Sequence, residues 1–288
     1  MSAICTIERT RLGAAGVLAN ALRAAQGDFS EQGLRDAWRA ELRADPALHE
    51  DGWYDPPPGG LIVWVAKAQD GFTRAHTTSF RPETAWPGPT RYAPGDVLYA
   101  YASPVDRASA LIGDFGLSLY NGPDPAVRRH ALEVLEVTLA TARAAEPGMP
   151  MRDLHAHAME LARVRGLTNA IESLSGPAGT NIGHTVPWSC ASDGPAPAHL
   201  PFPALREAIR AGRRFLSPVE AWPLPQTVAF TVEPRLSAPG LPQMWFHFTV
   251  LMEGGRKRLA SGFAPVLAAF GGMEEVRERL AAWREGEG

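Results

Sequence analysis

Phe230-Thr231-Val232-Glu233-Pro234 is a short apolar run ending in a carboxylate and a proline, and Phe246-His247-Phe248 lies at the centre of the next apolar run. Strand alternation puts Val228, Phe230 and Val232 on one face and Thr227, Ala229, Thr231 and Glu233 on the other. In the second run Met244, Phe246, Phe248 and Val250 share a face, opposite Trp245, His247, Thr249 and Leu251. Two neighbouring strands of this pattern aim Glu233 and His247 into one cleft. The plainer alternative is that Glu233 opens a proline-rich loop and His247 is a hydrogen-bonded sheet histidine.

The composition excludes several classes of function. The chain has 288 residues, 45% hydrophobic and 20% charged, as expected of a globular protein with a large core. A net charge of -3 and the absence of any Lys/Arg run argue against a nucleic-acid or anionic-membrane surface. Lys67 and Lys257 are the only lysines, so the basic residues are almost all arginine. Cys5 and Cys190 stand far apart without zinc or redox spacing, which points to free thiols in a reducing compartment. Met1 to Arg11 carries charge where a signal peptide is apolar, and no apolar run reaches spanning length, so cytoplasmic residence is expected.

Helical spacing of Leu12, Val17, Leu18 and Leu22 predicts a helix from about Ile7 to Ala25. A second is predicted from Asp28, with Glu31 as capping-box partner and Leu34, Trp38 and Leu42 on one face. Strands are expected at Leu61 to Val65, Asp96 to Tyr101 and Ala110 to Tyr120. The plan then repeats. Asp124-Pro125 opens a long helix to about Ala145, Pro150 another ending at Gly166, and a glycine-rich passage follows from Gly176 to Pro187. A short helix from Ala204 to Arg213 precedes the strands quoted above. This order predicts an α+β fold with an internal duplication around one cleft, its halves about 1–120 and 121–288, in a single domain with no separate N-terminal domain.

Six segments in order then resemble one family: Gly95-Asp96-Val97-Leu98, Gly113-Asp114, Glu146-Pro147-Gly148, Gly179-Thr180-Asn181-Ile182-Gly183-His184, Phe230 to Pro234, and His247 with Thr249-Val250 and Glu253-Gly254. Together they resemble the pita-bread fold shared by creatinase, methionine aminopeptidase, Xaa-Pro aminopeptidase and prolidase. The resemblance covers roughly Ile7 to Leu259. It implies a pseudo-twofold repeat of helix, helix and strands around a curved antiparallel sheet.

The peptidases of that family hold two divalent metals on two Asp, one His and two Glu. By resemblance, Asp114 falls at the second Asp and Glu233 at the first Glu. Tyr99 or Tyr101 stands where the first Asp belongs, and His247 where the second Glu belongs. The family's Gly-His-Gly-Ile-Gly segment can be laid on Gly179 to Gly183, which puts Thr180 at the histidine position, or on Gly183-His184. The first placement keeps more matched positions, leaving His184 as a neighbouring cleft residue.

Two dications without bridging acids repel one another, so the ordinary peptidase mechanism is not expected. Creatinase, a metal-free hydrolase of the same fold, is the nearer guide. The catalytic candidates are His76, as general base ahead of Gly95-Asp96, with Glu233, His247 and His184; Asp114, Thr180, Tyr101 and Trp188 are the substrate-binding candidates. The leading expectation is hydrolysis or elimination on a small nitrogen-containing substrate with no metal. The alternatives are a metal-dependent Xaa-Pro aminopeptidase or prolidase relative, with one divalent ion (Mn, Fe, Co or Zn) on Asp114, His184, Glu233 and His247, and a non-catalytic binding module, a pseudo-peptidase. The plainer alternatives are that His76 is a loop residue and Asp114 a strand terminator, although the spacing of Asp114 to Gly122 favours more than that. The resemblance further implies a homodimer; no nucleic-acid or membrane partner is expected.

Overall fold

The computed structural model describes residues 2–170 and 178–285. The first helix, α1 (Ala3–Ala25), starts earlier than the apolar periodicity suggests because Ser2 caps it, its side chain accepting from Cys5 N at 3.3 Å. In α2 (Glu31–Ala44) the cap is Ser30, which accepts from Gly33 N at 3.1 Å. Glu31 is therefore not a capping-box partner. Its carboxylate is buried and receives the backbone N–H groups of Val65 at 2.7 Å and Gly88 at 2.8 Å, with Arg74 as counter-ion.

Three strands follow as an antiparallel meander: β1 (Leu61–Ala66), β2 (Val97–Ala102) and β3 (Phe115–Tyr120). The strand expected from Ala110 begins only at Phe115. Gly113 lies so close to α1 that a Cβ there would overlap the Arg11 backbone and the Thr10 side chain, and Ala110 turns through a φ of 59°.

The second half repeats the order. Asp124 caps α3 (Pro125–Ala144), accepting from Ala126 N at 2.8 Å, and α4 (Met151–Arg163) ends before Gly166, whose φ is +68°. Then come β4 (Thr168–Asn169), α5 (Phe202–Gly212), β5 (Val228–Val232), β6 (Arg235–Ser237), β7 (Met244–Glu253) and β8 (Arg256–Ala260). Two helices close the described chain, α6 (Phe263–Phe270) and α7 (Glu274–Glu285). The start of the glycine-rich passage expected from Gly176 lies outside the described residues.

The ten-residue β7 is the spine of an eight-stranded, curled antiparallel sheet. Its first half pairs with β3 on one edge and β6 on the other, and its second half with β8 and β5. Period-two alternation explains the layering. Met244, Phe246 and Phe248 enter the main core with residues of α3, and Phe248 meets the Phe263 ring edge-on at 5.0 Å. Trp245, His247 and Thr249 face the other way, onto the concave side where Glu233 also lies.

Candidate active site

The site is assembled from both halves. Residues 182–186 lie along the free edge of β5: Glu233 N donates to Ile182 O, Thr231 N to His184 O and Val186 N to Ala229 O, each at 2.8 Å. On their other side Leu216 N donates to Gly183 O and Thr185 N to Arg214 O, also at 2.8 Å. Gly183, with φ +151°, passes so close to the Thr231 carbonyl that no side chain fits. This passage drops His184 onto the concave face.

Three chemistry-bearing atoms converge there. His184 Nε2 is 3.4 Å from Asp114 Oδ2 and 3.8 Å from Glu233 Oε1. The other ring nitrogen, Nδ1, lies 3.0 Å from Thr185 O, a group that only accepts, so Nδ1 carries the proton. Unless the ring is charged, Nε2 is then a lone pair facing two carboxylate oxygens. Thr231 links the group: its hydroxyl receives His184 N–H at 2.9 Å and donates to Glu233 Oε1 at 2.9 Å. Asp114 is buried just before β3; its Oδ1 receives the Trp53 indole N–H at 2.7 Å, while Oδ2 has no hydrogen-bond partner among the described residues.

His247 completes the group from β7. Its Nδ1 is 3.7 Å from Glu233 Oε2, and neither ring nitrogen has a hydrogen-bond partner among the described residues. Tyr101 of β2, Gly116 of β3 and His247 are aligned across three strands. A Cβ on Gly116 would stand 3.2 Å from the Tyr101 ring, so glycine lets the phenol lean across and stack on His247, with centroids 6.0 Å apart at 9°. Tyr54 and Trp53 continue this aromatic wall, Trp53 meeting His184 edge-on at 5.6 Å.

Burial sets the protonation pattern. It raises the Glu233 carboxyl above its usual range, with the Asp114 charge adding to the rise and His184 opposing it. It drives His247 well below 6.5, helped by the Arg11 charge, so that imidazole is neutral. Tyr101 rises well above 10 and stays a phenol. Behind the sheet, the buried Arg11 donates to the backbone carbonyls of Asp114, His247 and Ser261, and burial lowers it to about 9. Sequence reasoning missed this residue, although helical spacing with Ile7, Ala14 and Leu18 places it on the buried stripe of α1. Trp53 was missed too, and its loop gave no periodic signal.

The structure thus brings Asp114, His184, Glu233, His247 and Tyr101 together. It does not bring in His76, which is exposed at the end of a 3-10 turn and has no bond to the group. His184, not Thr180, faces Asp114 and Glu233; Thr180 is engaged by Asn169 Nδ2 at 3.4 Å beside β4. Trp188 packs on a satellite core with Val186 and Leu205 rather than against the cluster.

The two-metal site implied by the resemblance does not fit these side chains. It asks for several carboxylates around one space. Among the described residues the cluster offers two, and one Asp114 oxygen is already held by the Trp53 N–H. Nor does the expected single-metal set of Asp114, His184, Glu233 and His247 form a cage: among the described residues no group of three or more His, Cys, Asp or Glu side chains could hold a metal ion.

No family model and no curated protein matches this sequence. Solved structures do. The X-Pro aminopeptidase from Thermotoga maritima superposes with a TM-score of 0.61 at 15% identity, over 88% of this chain and 59% of its own. Prolidase from Pyrococcus furiosus gives 0.57 at 15% identity, over 88% and 63%, and methionine aminopeptidase from Thermotoga maritima gives 0.58 at 14%, over 89% and 96%. The chain spans less than two thirds of the length of the first of these. It has the pita-bread fold of the aminopeptidases and prolidases, as the resemblance implied. Among the described residues no helix is long and apolar enough to cross a membrane.

Proposed function

We propose that this chain is a hydrolase of the pita-bread fold that has left two-metal peptidase chemistry and cleaves a C–N bond in a small nitrogen-containing substrate by general acid–base catalysis. The observation that carries it is the tautomer of His184: Nδ1 is spent on Thr185 O, which leaves Nε2 as a basic nitrogen between two carboxylates. At 3.4 and 3.8 Å, Nε2 is too far from either carboxylate oxygen for a short hydrogen bond, so its lone pair can serve a group placed beside them.

In this reading His184 Nε2 takes a proton from water as its oxygen bonds to the substrate carbon. Asp114 Oδ2 orients that water and steadies the imidazolium. Glu233, which burial keeps protonated to higher pH than an ordinary carboxyl, gives its proton to the leaving nitrogen as the C–N bond breaks. The proton on His184 then returns to Glu233. Neutral His247 and the Tyr101 hydroxyl line the pocket as hydrogen-bonding groups. By the resemblance, Tyr99 or Tyr101 falls at the first metal-binding Asp of the fold's peptidases and His247 at the second Glu, a match that favours a departure from metal chemistry. Elimination without water would use the same base and acid.

The test is a panel of amides, ureas and guanidino compounds assayed for ammonia or amine release after exhaustive dialysis against chelator. The expected result is turnover that survives chelation and falls about 100-fold or more in His184→Ala. Stoichiometric Mn, Co, Zn or Fe surviving dialysis would replace this reading with a metal-dependent Xaa-Pro peptidase. Binding without turnover would replace it with a binding module.

A further inference from the structure

α6 and α7 lie beyond the stretch that carries the family resemblance, which ends near Leu259, and the hydrolase reading gives them no part. They are firmly seated. Phe263 of α6 meets Phe246 at 5.8 Å and Phe248 at 5.0 Å, Trp283 of α7 meets Phe248 at 6.3 Å, and Arg279 of α7 pairs with Glu136 of α3. Yet between the two helices is a cavity of about 600 Å³, the size of a small-molecule pocket. Leu267 and Ala268 of α6 and Leu280 and Ala281 of α7 line it, and the alanines on both walls leave the space unfilled.

The two ends of the cavity differ. Glu274, Arg277 and Glu278 are exposed and stand at its mouth. Glu274 and Glu278 are four apart, so they share a face of α7, and with Arg277 they leave one net negative charge there. Among the described residues none of the three is in an ion pair. Ser261 lines the inner end, 4% exposed, and its hydroxyl has no hydrogen-bond partner among the described residues. A buried hydroxyl open to an apolar space stays unsatisfied until a guest reaches it. Ser261 is also where this end of the molecule touches the catalytic cluster. Its carbonyl receives Arg11 Nε at 3.2 Å and Nη2 at 2.8 Å, and the same guanidinium donates to the carbonyls of Asp114 and His247. The guanidinium is planar and rigid, so its acceptors do not move independently.

We propose that the cavity between α6 and α7 is an effector site for a small amphipathic amine, and that its occupancy is felt at Asp114 and His247 through Ser261 and Arg11. The ammonium suits the acidic mouth, and the apolar body suits the walls. Contact with the Ser261 hydroxyl gives the guest the differential interaction that any coupling requires. Binding stands on the cavity alone; its consequence for turnover rests on the hydrolase reading above.

The experiment is calorimetric titration of the full chain with n-octylamine, n-octanol and octanoate, one chain length carrying a cation, no charge and an anion, at low salt and neutral pH. The amine binds about threefold more tightly than the alcohol, the worth of one exposed ion pair, and the acid binds most weakly. Ala268→Trp fills the cavity and weakens the amine about tenfold or more, because the alkyl chain loses its burial. Glu274→Gln with Glu278→Gln, both exposed changes, keeps the alcohol and removes the preference for the amine, so the test stays decisive if Ala268→Trp misfolds. In NMR the amine moves the His247 imidazole resonances of the unaltered chain and not those of Ala268→Trp. No binding, equal binding of all three, or undiminished binding in Ala268→Trp overturns the site. Amine binding with unmoved His247 resonances overturns the link to the cluster. Because neither readout uses turnover, a failed hydrolase assay and a failed effector site are told apart.

Discussion

The indole N–H of Trp53 donates to Asp114 Oδ1 at 2.7 Å, joining a loop residue to a carboxylate 61 positions away. Both groups are buried, so the bond is charge-assisted and shielded from water. Trp53→Phe removes the donor together with part of the bicyclic ring, stranding a buried carboxylate oxygen and leaving a small void. It is expected to cost about 1–3 kcal/mol in urea denaturation. A double-mutant cycle with Asp114→Asn measures the coupling; additivity of the two changes would deny the bond any role.

Arg11 is the second test. Its guanidinium satisfies the carbonyls of Asp114, His247 and Ser261 from behind the sheet. Arg11→Met leaves three buried acceptors unpaired, and a loss of roughly 3–5 kcal/mol is expected by chemical denaturation. Arg11→Lys recovers part of it. Because the Arg11 charge lowers the His247 pKa, the methionine variant also moves the His247 titration upward, read by the imidazole resonances in NMR.

Gly183 offers a steric test. With φ +151° and a Cβ position that overlaps the Thr231 carbonyl oxygen, Gly183→Ala must push the His184 segment off β5. Loss of soluble protein, or of several kcal/mol (about 2–4) where it does fold, is expected. Gly179→Ala has no such overlap, although its φ of +68° still favours glycine, and a thermal melt of the pair shows the milder effect at Gly179.

Stability falls on mild acidification. Burial lowers His49, His130, His155 and His247 below 6.5, so the folded chain binds fewer protons at these sites than the unfolded chain. Their contribution is whole above pH 6.5 and is lost as pH drops through 6.5 toward the folded values. Glu233 works in the opposite sense, since its raised folded pKa makes the ionised form costly, and that cost is relieved as pH falls toward 4.5. Four groups outweigh one. Melting temperatures by circular dichroism should decline between pH 7.5 and 5.5, and His130→Gln should flatten the decline.

How much of this was legible in the chain differs by element. The helices of both halves could be read from apolar spacing and capping residues, and β1, β2, β5 and β7 from β-branched and aromatic runs. The strand β8 and the helix α6 after Glu253 were not, because Arg256–Ala260 is charged and Phe263–Phe270 is apolar all round, so neither shows an amphipathic period. Glu233 and His247 could be placed on one face because strand alternation is a local property. Thr180 was preferred to His184 at the family's histidine position because motif matching counts glycines, whereas the backbone path through Gly183 decides which side chain reaches the concave face.

By itself, then, the sequence determined the repeated order of helices and strands, the alternation that separates Phe246 and Phe248 from His247, and the resemblance to the fold they make. Tertiary structure alone decided that Arg11 braces Asp114 and His247, that Trp53 holds Asp114, and that His76 stays outside. The physical reason is range. Periodicity and capping act within a few residues and leave a trace in the chain, but burial, tautomer and charge pairing depend on partners as far apart as Arg11 and His247, which only the closed sheet brings into contact.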